Sequence, residues 1–389
     1  MSMPLYTPYE MINKLVSFDT TSRHSNLHLI NFVSDYLSQH GVKSHIVADD
    51  SGTKANLLAT IGPNVDGGVM LSGHTDVVPV DGQHWDTNPF TATKANGRIY
   101  GRGTADMKSF SGIFLSHLPR FVKARLKRPI HLALSYDEEV GCLGAPDLIN
   151  TARRLNLRPK LVIIGEPTNM KVINRHKSVL SYRTTITGVE SHSAYPDQGV
   201  NAIFFAGDVV HFLHGLSQTF SSNPIQEPRF DPPYSTLHIG LINGGTAQNI
   251  VPKICSFDWE VRALPGDNIS TLVLEPLEKF VLEKVMPRMK AISKSATVQT
   301  TALGAVPGLA PQAENSLEHL LCELTGYNSD PESIAFATEG GLFQKQNFPT
   351  LICGPGNILQ AHKPNEYIEL SQIQACEKFF GRLLNHLSS

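Results

Sequence analysis

Histidine and carboxylate side chains recur in this chain just after short apolar runs. His74 and Asp76 follow residues 69–72, Glu138 and Glu139 follow Ile130–Ser135, and Glu166 follows Leu161–Ile164. Runs of this length bounded by turn residues predict buried strands. Parallel strands of an open α/β sheet bring their C-terminal ends to one edge, where ligands bind. Any one of these acids could instead cap a helix or turn, but in series they predict a converging site. Asp106 lies in Gly101-Arg102-Gly103-Thr104-Ala105-Asp106-Met107-Lys108, a glycine-rich loop entering a helix. It reads either as an N-cap or as a carboxylate whose two oxygens bridge two cations about 3.5–4 Å apart. His362 follows the run 350–353 and the turn Gly354-Pro355-Gly356.

A mixed nitrogen and oxygen set without cysteine suits a hydrolytic zinc, with cobalt or manganese as substitutes. The i, i+2 spacing puts His74 and Asp76 on one side of an extended segment, so that the Asp76 carboxylate can accept the second ring N–H of His74. Glu138 and Glu139, neighbours on an extended segment, must point apart. We read Glu139 as a metal ligand and Glu138 as the general base that reaches the attacking water. His192, in Glu190-Ser191-His192-Ser193, Asn249 after Gly244-Gly245, and Arg262 near a strand end are ambiguous by themselves. A structural histidine, a turn and a surface ion pair are the competing readings.

The elements that must position these residues alternate. Helical spacing marks residues 9–16, 27–40, 109–124 and 145–155, and the runs 69–72, Ile130–Ser135, Leu161–Ile164 and 350–353 read as buried parallel strands, which makes an α/β layered domain. From about residue 179 the pattern changes to strand 180–187, helix 201–216, strands 236–242 and 253–262, helix 270–285 and strand 296–303. That βαββαβ order is a self-contained open sandwich. We therefore expect a catalytic domain with a mixed, mostly parallel sheet over 1–178 and 305–389, interrupted by an inserted domain over 179–304.

Bulk properties narrow the class. Thirty-three Lys plus Arg against 35 Asp plus Glu leave no broad attraction to nucleic acid or an anionic membrane, so a small solute is the expected partner. Residues 1–10 lack a basic patch before an apolar run, and no run of about 18 apolar residues occurs. Five scattered cysteines without a CxxC pair argue against a disulfide framework and point to a reducing cytoplasm. No GxSxG elbow is present, and no cysteine has an evident catalytic partner.

Gly73-His74-Thr75-Asp76-Val77-Val78-Pro79, the Asp106 loop, Asp137-Glu138-Glu139, Gly165-Glu166-Pro167 and His362 together resemble the M20 family of metallopeptidases and deacylases. The resemblance implies a zinc domain interrupted by a ferredoxin-like lid that also serves as dimer contact. It further implies one metal on His74, Asp106 and Glu166 and another on Asp106, Glu139 and His362. His192 would be the lid histidine that reaches a partner subunit's site and stabilises the oxyanion, with Asn249 and Arg262 on the substrate carboxylate. Ser191 departs from the glycine that relatives often carry before that histidine. Trp85, His176-Lys177, Arg262-Ala263-Leu264-Pro265-Gly266, Thr338-Glu339 and Ala361-His362-Lys363-Pro364-Asn365-Glu366-Tyr367 are similar to members that deacetylate N-acetyl-L-ornithine, and Glu339 would then meet the free ammonium. A related aminoacylase, a succinyl-diaminopimelate desuccinylase or a dipeptidase would share this chemistry. A catalytically silent binding protein is the alternative of a different class; it would have no reason to keep Glu138 beside all five ligands.

Overall fold

The computed structural model describes residues 5–222, 226–312 and 315–389. The first four residues of the stretch 1–10 considered above lie outside them. The chain divides into two compact units: Met1–Arg175 with Pro311–Ser333 and Thr338–Ser389, and His176–Ala310 with Ile334–Ala337.

The larger unit is built on an eight-stranded sheet. Its order is Ser44–Ala48, Ala55–Ile61, Ile130–Ser135, Val69–His74, Leu161–Ile164, Thr350–Ile352, Ile173–His176, Glu332–Ile334. Val69–His74 is parallel to both Ile130–Ser135 and Leu161–Ile164, and Thr350–Ile352 is parallel to Leu161–Ile164. The pairings flanking these four strands are antiparallel. The sheet is therefore mixed, with its parallel part at the centre. Every residue of Val69–His74, Ile130–Ser135 and Leu161–Ile164 is buried, as expected of strands covered on both faces. The helix Lys108–Lys123 buries Phe110, Ile113, Phe114, Leu118 and Phe121, and Phe110 and Phe114 meet Phe380 of the final helix Leu370–Ser388 at ring separations of 5.6 Å. Each such side chain, removed from water, contributes about 1.5–3 kcal/mol. No helix among the described residues is long and apolar enough to cross a membrane.

The smaller unit is a four-stranded antiparallel sheet in the order Thr236–Gly244, Ile254–Ala263, Ser178–Thr187, Thr297–Val306. Phe205, Val209 and Leu213 of the helix Ala202–Ser222 share a core with Phe257, Trp259 and Val261. The second helical stretch, expected over 270–285, runs on to residue 292. It contains wider turns at Ser270–Leu274 and Val281–Val285, each just before a proline-bearing segment, Glu275–Phe280 and Met286–Ile292. The proline ring lacks the N–H that would continue the regular ladder.

Candidate metal centre

The four parallel strands end at one edge, and the chemistry collects there. His74 is the last residue of its strand, Glu166 comes two residues after Leu161–Ile164, and Glu138 three after Ile130–Ser135. The His74 side chain is 1% exposed; its Nε2 lies 2.9 Å from Asp106 Oδ1 and 3.8 Å from Glu166 Oε1. His362 Nε2 lies 3.0 Å from Glu139 Oε2 and 3.4 Å from Asp106 Oδ2. The two oxygens of Asp106 therefore face different histidines. Ligand atoms of His74, Asp106 and Glu139 lie within 4.8 Å of one another, as do those of His74, Glu138 and Glu166.

Two details differ from the sequence reading. The Asp76 carboxylate does not take the ring N–H of His74: Nδ1 is 2.9 Å from the Asp76 carbonyl oxygen, whereas the carboxylate is 3.6 Å away. The strand ends at His74, and beyond it the Asp76 carbonyl, rather than the carboxylate, meets the Nδ1 edge of the ring. The carboxylate instead accepts the Ser22 hydroxyl at 2.7 Å and the backbone N–H groups of Glu138 and Glu139 at 3.0 and 3.2 Å. Nor are Glu138 and Glu139 on an extended segment. They sit in a turn entered through Asp137, whose φ is +55°, and the turn carries their side chains to different partners. Lys54 Nζ holds Asp137 Oδ1 at 2.6 Å and the Ser22 carbonyl at 2.5 Å, so the turn is braced from both sides. Sequence reasoning passed over Ser22 and Lys54, whose contacts reach across 54 and 83 residues and leave no local pattern.

The electrostatics suit cations. Burial raises Glu138 and Glu166 well above the usual carboxyl range, and it raises Glu139 too. Burial also opposes ionisation of Asp106, but hydrogen bonds from His362 and His74 hold it low. His362 is pushed up to about 10 by its hydrogen bonds to Asp106 and Glu139. For His74 burial works against protonation, yet Asp106, Asp76 and Glu166 outweigh it and the net shift is well upward. Four largely buried carboxylates, the buried His74 and the half-exposed His362 are a donor set for hard or borderline divalent ions, and the residues present fit such a pair.

Glu339 is 1% exposed at the floor of this site. Its Oε2 accepts from Ser72 at 3.4 Å while Oε1 lacks a well-formed hydrogen bond; burial raises its carboxyl to about 6.

The remaining three candidates belong to the smaller unit. His192 is exposed, its Nδ1 accepting from the Ala194 N–H at 3.0 Å. It lies beside Asn249, whose carbonyl accepts from Ser193 at 3.0 Å. Arg262 pairs with Glu260 at 2.8 Å, at the far end of Ile254–Ala263 from Asn249. The eight steps from Ile254 to Arg262, at about 3.3 Å each, alone span roughly 26 Å, so the structure joins His192 with Asn249 but not with Arg262.

Comparison with known proteins follows this geometry. Residues 70–386 match peptidase family M20/M25/M40. Acetylornithine deacetylase of Proteus mirabilis is 33% identical over 99% of this chain and 98% of its own length. Among solved structures, an M20 family metallo-carboxypeptidase from Sulfolobus solfataricus superposes with a TM-score of 0.76 at 16% identity, covering 99% of this chain and 100% of its own. A Bacillus subtilis protein described as a dinuclear metal-binding peptidase of the M20 family gives 0.66 at 15% identity, with 97% of each chain covered. At such identities the structural likenesses carry the fold alone.

Proposed function

The chain belongs to peptidase family M20/M25/M40, and from that premise we propose that it is a two-metal amidohydrolase that removes the acetyl group from N-acetyl-L-ornithine, a step of arginine biosynthesis. The observation that carries the two-metal part is the Asp106 carboxylate, with one oxygen toward His74 and the other toward His362. The substrate comes from the near full-length similarity to an acetylornithine deacetylase.

In this reading His74, Asp106 and Glu166 hold one divalent ion, and Asp106, Glu139 and His362 the other, with zinc preferred and cobalt or manganese as substitutes. Two such ions supply Lewis acidity at the amide carbonyl and lower the pKa of the attacking water. Glu138 takes the proton of that water, helped by the burial that makes its carboxyl a better base. Asp76 holds the backbone of Glu138 and thereby aims it. The C–N bond breaks, acetate keeps the water oxygen, and Glu138 returns the proton to the departing amine. Glu339, with a free buried oxygen, receives the side-chain ammonium.

His192 supports the oxyanion, while Asn249 and Arg262 bind the substrate carboxylate. Since Asn249 lies in the loop before Ile254–Ala263 and Arg262 near the far end of that strand, we assign them to sites completed by two copies of the chain. The inserted domain, 179–304, would then serve as both lid and dimer contact. Its edge strand Thr236–Gly244 is paired on one side only and exposes Leu241 and Ile242, and Phe204 nearby is 72% exposed; open edges and apolar patches of this kind are where a second copy can add. Free cysteines at all five positions fit a cytoplasmic setting.

The test is acetate release by purified protein with added zinc or cobalt, comparing N-acetyl-L-ornithine with an uncharged N-acetyl amino acid, an N-succinyl diamino acid and a dipeptide. The highest kcat/KM is expected for N-acetyl-L-ornithine. A different winner would move the assignment to that substrate within the family, and inertness toward all four would leave a binding protein.

A further inference from the structure

Arg102 is 1% exposed, and the reaction above makes no use of it. Arginine is almost never fully buried unless its guanidinium is paired. Here Nη1 donates to Glu366 Oε2 at 2.7 Å and to the Lys363 carbonyl at 3.3 Å, and Nη2 donates to Gln83 Oε1 at 2.6 Å. Glu366, equally buried, uses its other oxygen to accept the backbone N–H groups of Ala105 at 2.8 Å and Asp106 at 3.1 Å. Gln83 in turn donates to the carbonyl of His362 at 2.9 Å. One guanidinium thus joins the loop that presents Asp106 to the loop that presents His362, through bonds to backbone atoms of those two residues or their immediate neighbours.

The His362 loop is also tied by Asn365, which accepts the Asp86 N–H at 2.9 Å and donates to the Asp86 carboxylate at 3.0 Å, and by the Glu366 carbonyl, which accepts the Gly101 N–H at 2.9 Å, but none of these bonds reaches the His362 backbone. The loop follows the three-residue turn Ile358–Gln360, adopts positive φ at His362 and Asn365, and leaves the His362 side chain 55% exposed. His74 and Glu166, by contrast, are fixed by the ends of central strands.

We propose that Arg102 is the positioning residue of the second ion site: it sets the separation of Asp106 from His362, so that occupancy of the site formed by Asp106, Glu139 and His362 depends on it more strongly than that of the site on His74, Asp106 and Glu166, which does not include His362. A lysine cannot replace it, because a single ammonium lacks the planar fork that reaches Glu366, Lys363 and Gln83 together. The inference rests on the two-ion reading above.

The experiment is titration of the metal-free protein with Co²⁺, counting ions and resolving both affinities. Removing Arg102 alone would strand the Glu366 charge, so the main variant is Arg102→Met/Glu366→Met, which takes out both buried charges together. Gln83→Ala, at a half-exposed position, cuts the link to His362 and takes one partner from the guanidinium, but keeps the Arg102–Glu366 pair itself. We expect the parent to bind two ions. Gln83→Ala should weaken one site by about 10–100-fold, the usual effect of losing an outer support of a ligand, and leave the other within about threefold. The double variant, which also frees the Asp106 backbone from Glu366, should weaken that same site at least as much and the other clearly less; Arg102→Lys should fall between parent and double variant. A second affinity unchanged in Gln83→Ala and in the double variant, or two sites weakened alike, would overturn the positioning role. If the double variant does not fold, Gln83→Ala decides alone. A parent that binds one ion is a separate failure, that of the two-ion reading, and takes this inference with it.

Discussion

At the residue scale, burial lifts the Glu339 carboxyl from 4.5 to about 6, an environment that no spacing of residues foretells, just as spacing cannot tell whether the carbonyl or the carboxylate of Asp76 meets His74. The native state therefore binds the extra proton between these two values, and stability is lost as pH rises through about 6. A shift of about 1.5 units corresponds to roughly 2 kcal/mol. Glu339→Gln should accordingly stabilise the metal-free protein by up to about 2 kcal/mol at pH 8 and have little effect at pH 4.5, measured by urea unfolding. Equal effects at both pH values would show that Glu339 is not ionised against its surroundings. In turnover, the same variant should lose discrimination between N-acetyl-L-ornithine and an uncharged N-acetyl amino acid.

Elements set how closely these residues approach. The segments following Leu161–Ile164 and Thr350–Ile352 run so close together that a Cβ on Gly354 would stand 2.0 Å from the Gly165 carbonyl oxygen and 2.6 Å from that of Glu166. Gly354→Ala must push the Glu166 loop aside. Overpacking of this kind typically costs about 1–3 kcal/mol, and the variant should bind its first ion more weakly, as read by metal titration beside thermal unfolding. Normal affinity with lower stability would separate packing from ligand placement. The four central strands were readable from apolar runs alone. The hairpin Ser44–Ala48 with Ala55–Ile61 was not: the first strand is half-exposed and carries a weak pattern. His131 on Ile130–Ser135 adds an acid-side signature. Burial depresses it to about 4, with Thr60 Oγ1 2.8 Å from Nδ1. The unfolded chain takes up a proton near 6.5 that the native strand refuses, so stability should fall as pH drops from 6.5 to 4. Replacing His131 by Gln should reduce that slope by about one proton, or about 1.4 kcal/mol per pH unit.

For the whole molecule, the texture changes from continuous apolar runs to alternating strands near residue 179, while the smaller compact unit runs over His176–Ala310 with Ile334–Ala337, the last piece being contributed by contacts that sequence texture does not carry. If His192 acts across copies, two individually inactive variants, Glu138→Ala and His192→Ala, should regain activity when mixed and allowed to exchange subunits, since one site of each mixed pair then has both residues. Absence of recovery from demonstrably mixed pairs would place His192 in its own chain's site or outside the reaction. The account as a whole stands on metal-assisted hydrolysis with Glu138 as base. Its most direct measurement is acetate release from N-acetyl-L-ornithine by the parent and by Glu138→Gln, each with its bound ions counted and with a chelated control. Two ions in both proteins, no turnover after chelation, and a loss of about 10²–10⁴-fold in the variant, the usual scale of a general base, are expected. Full turnover by Glu138→Gln, or turnover untouched by the chelator, would contradict it.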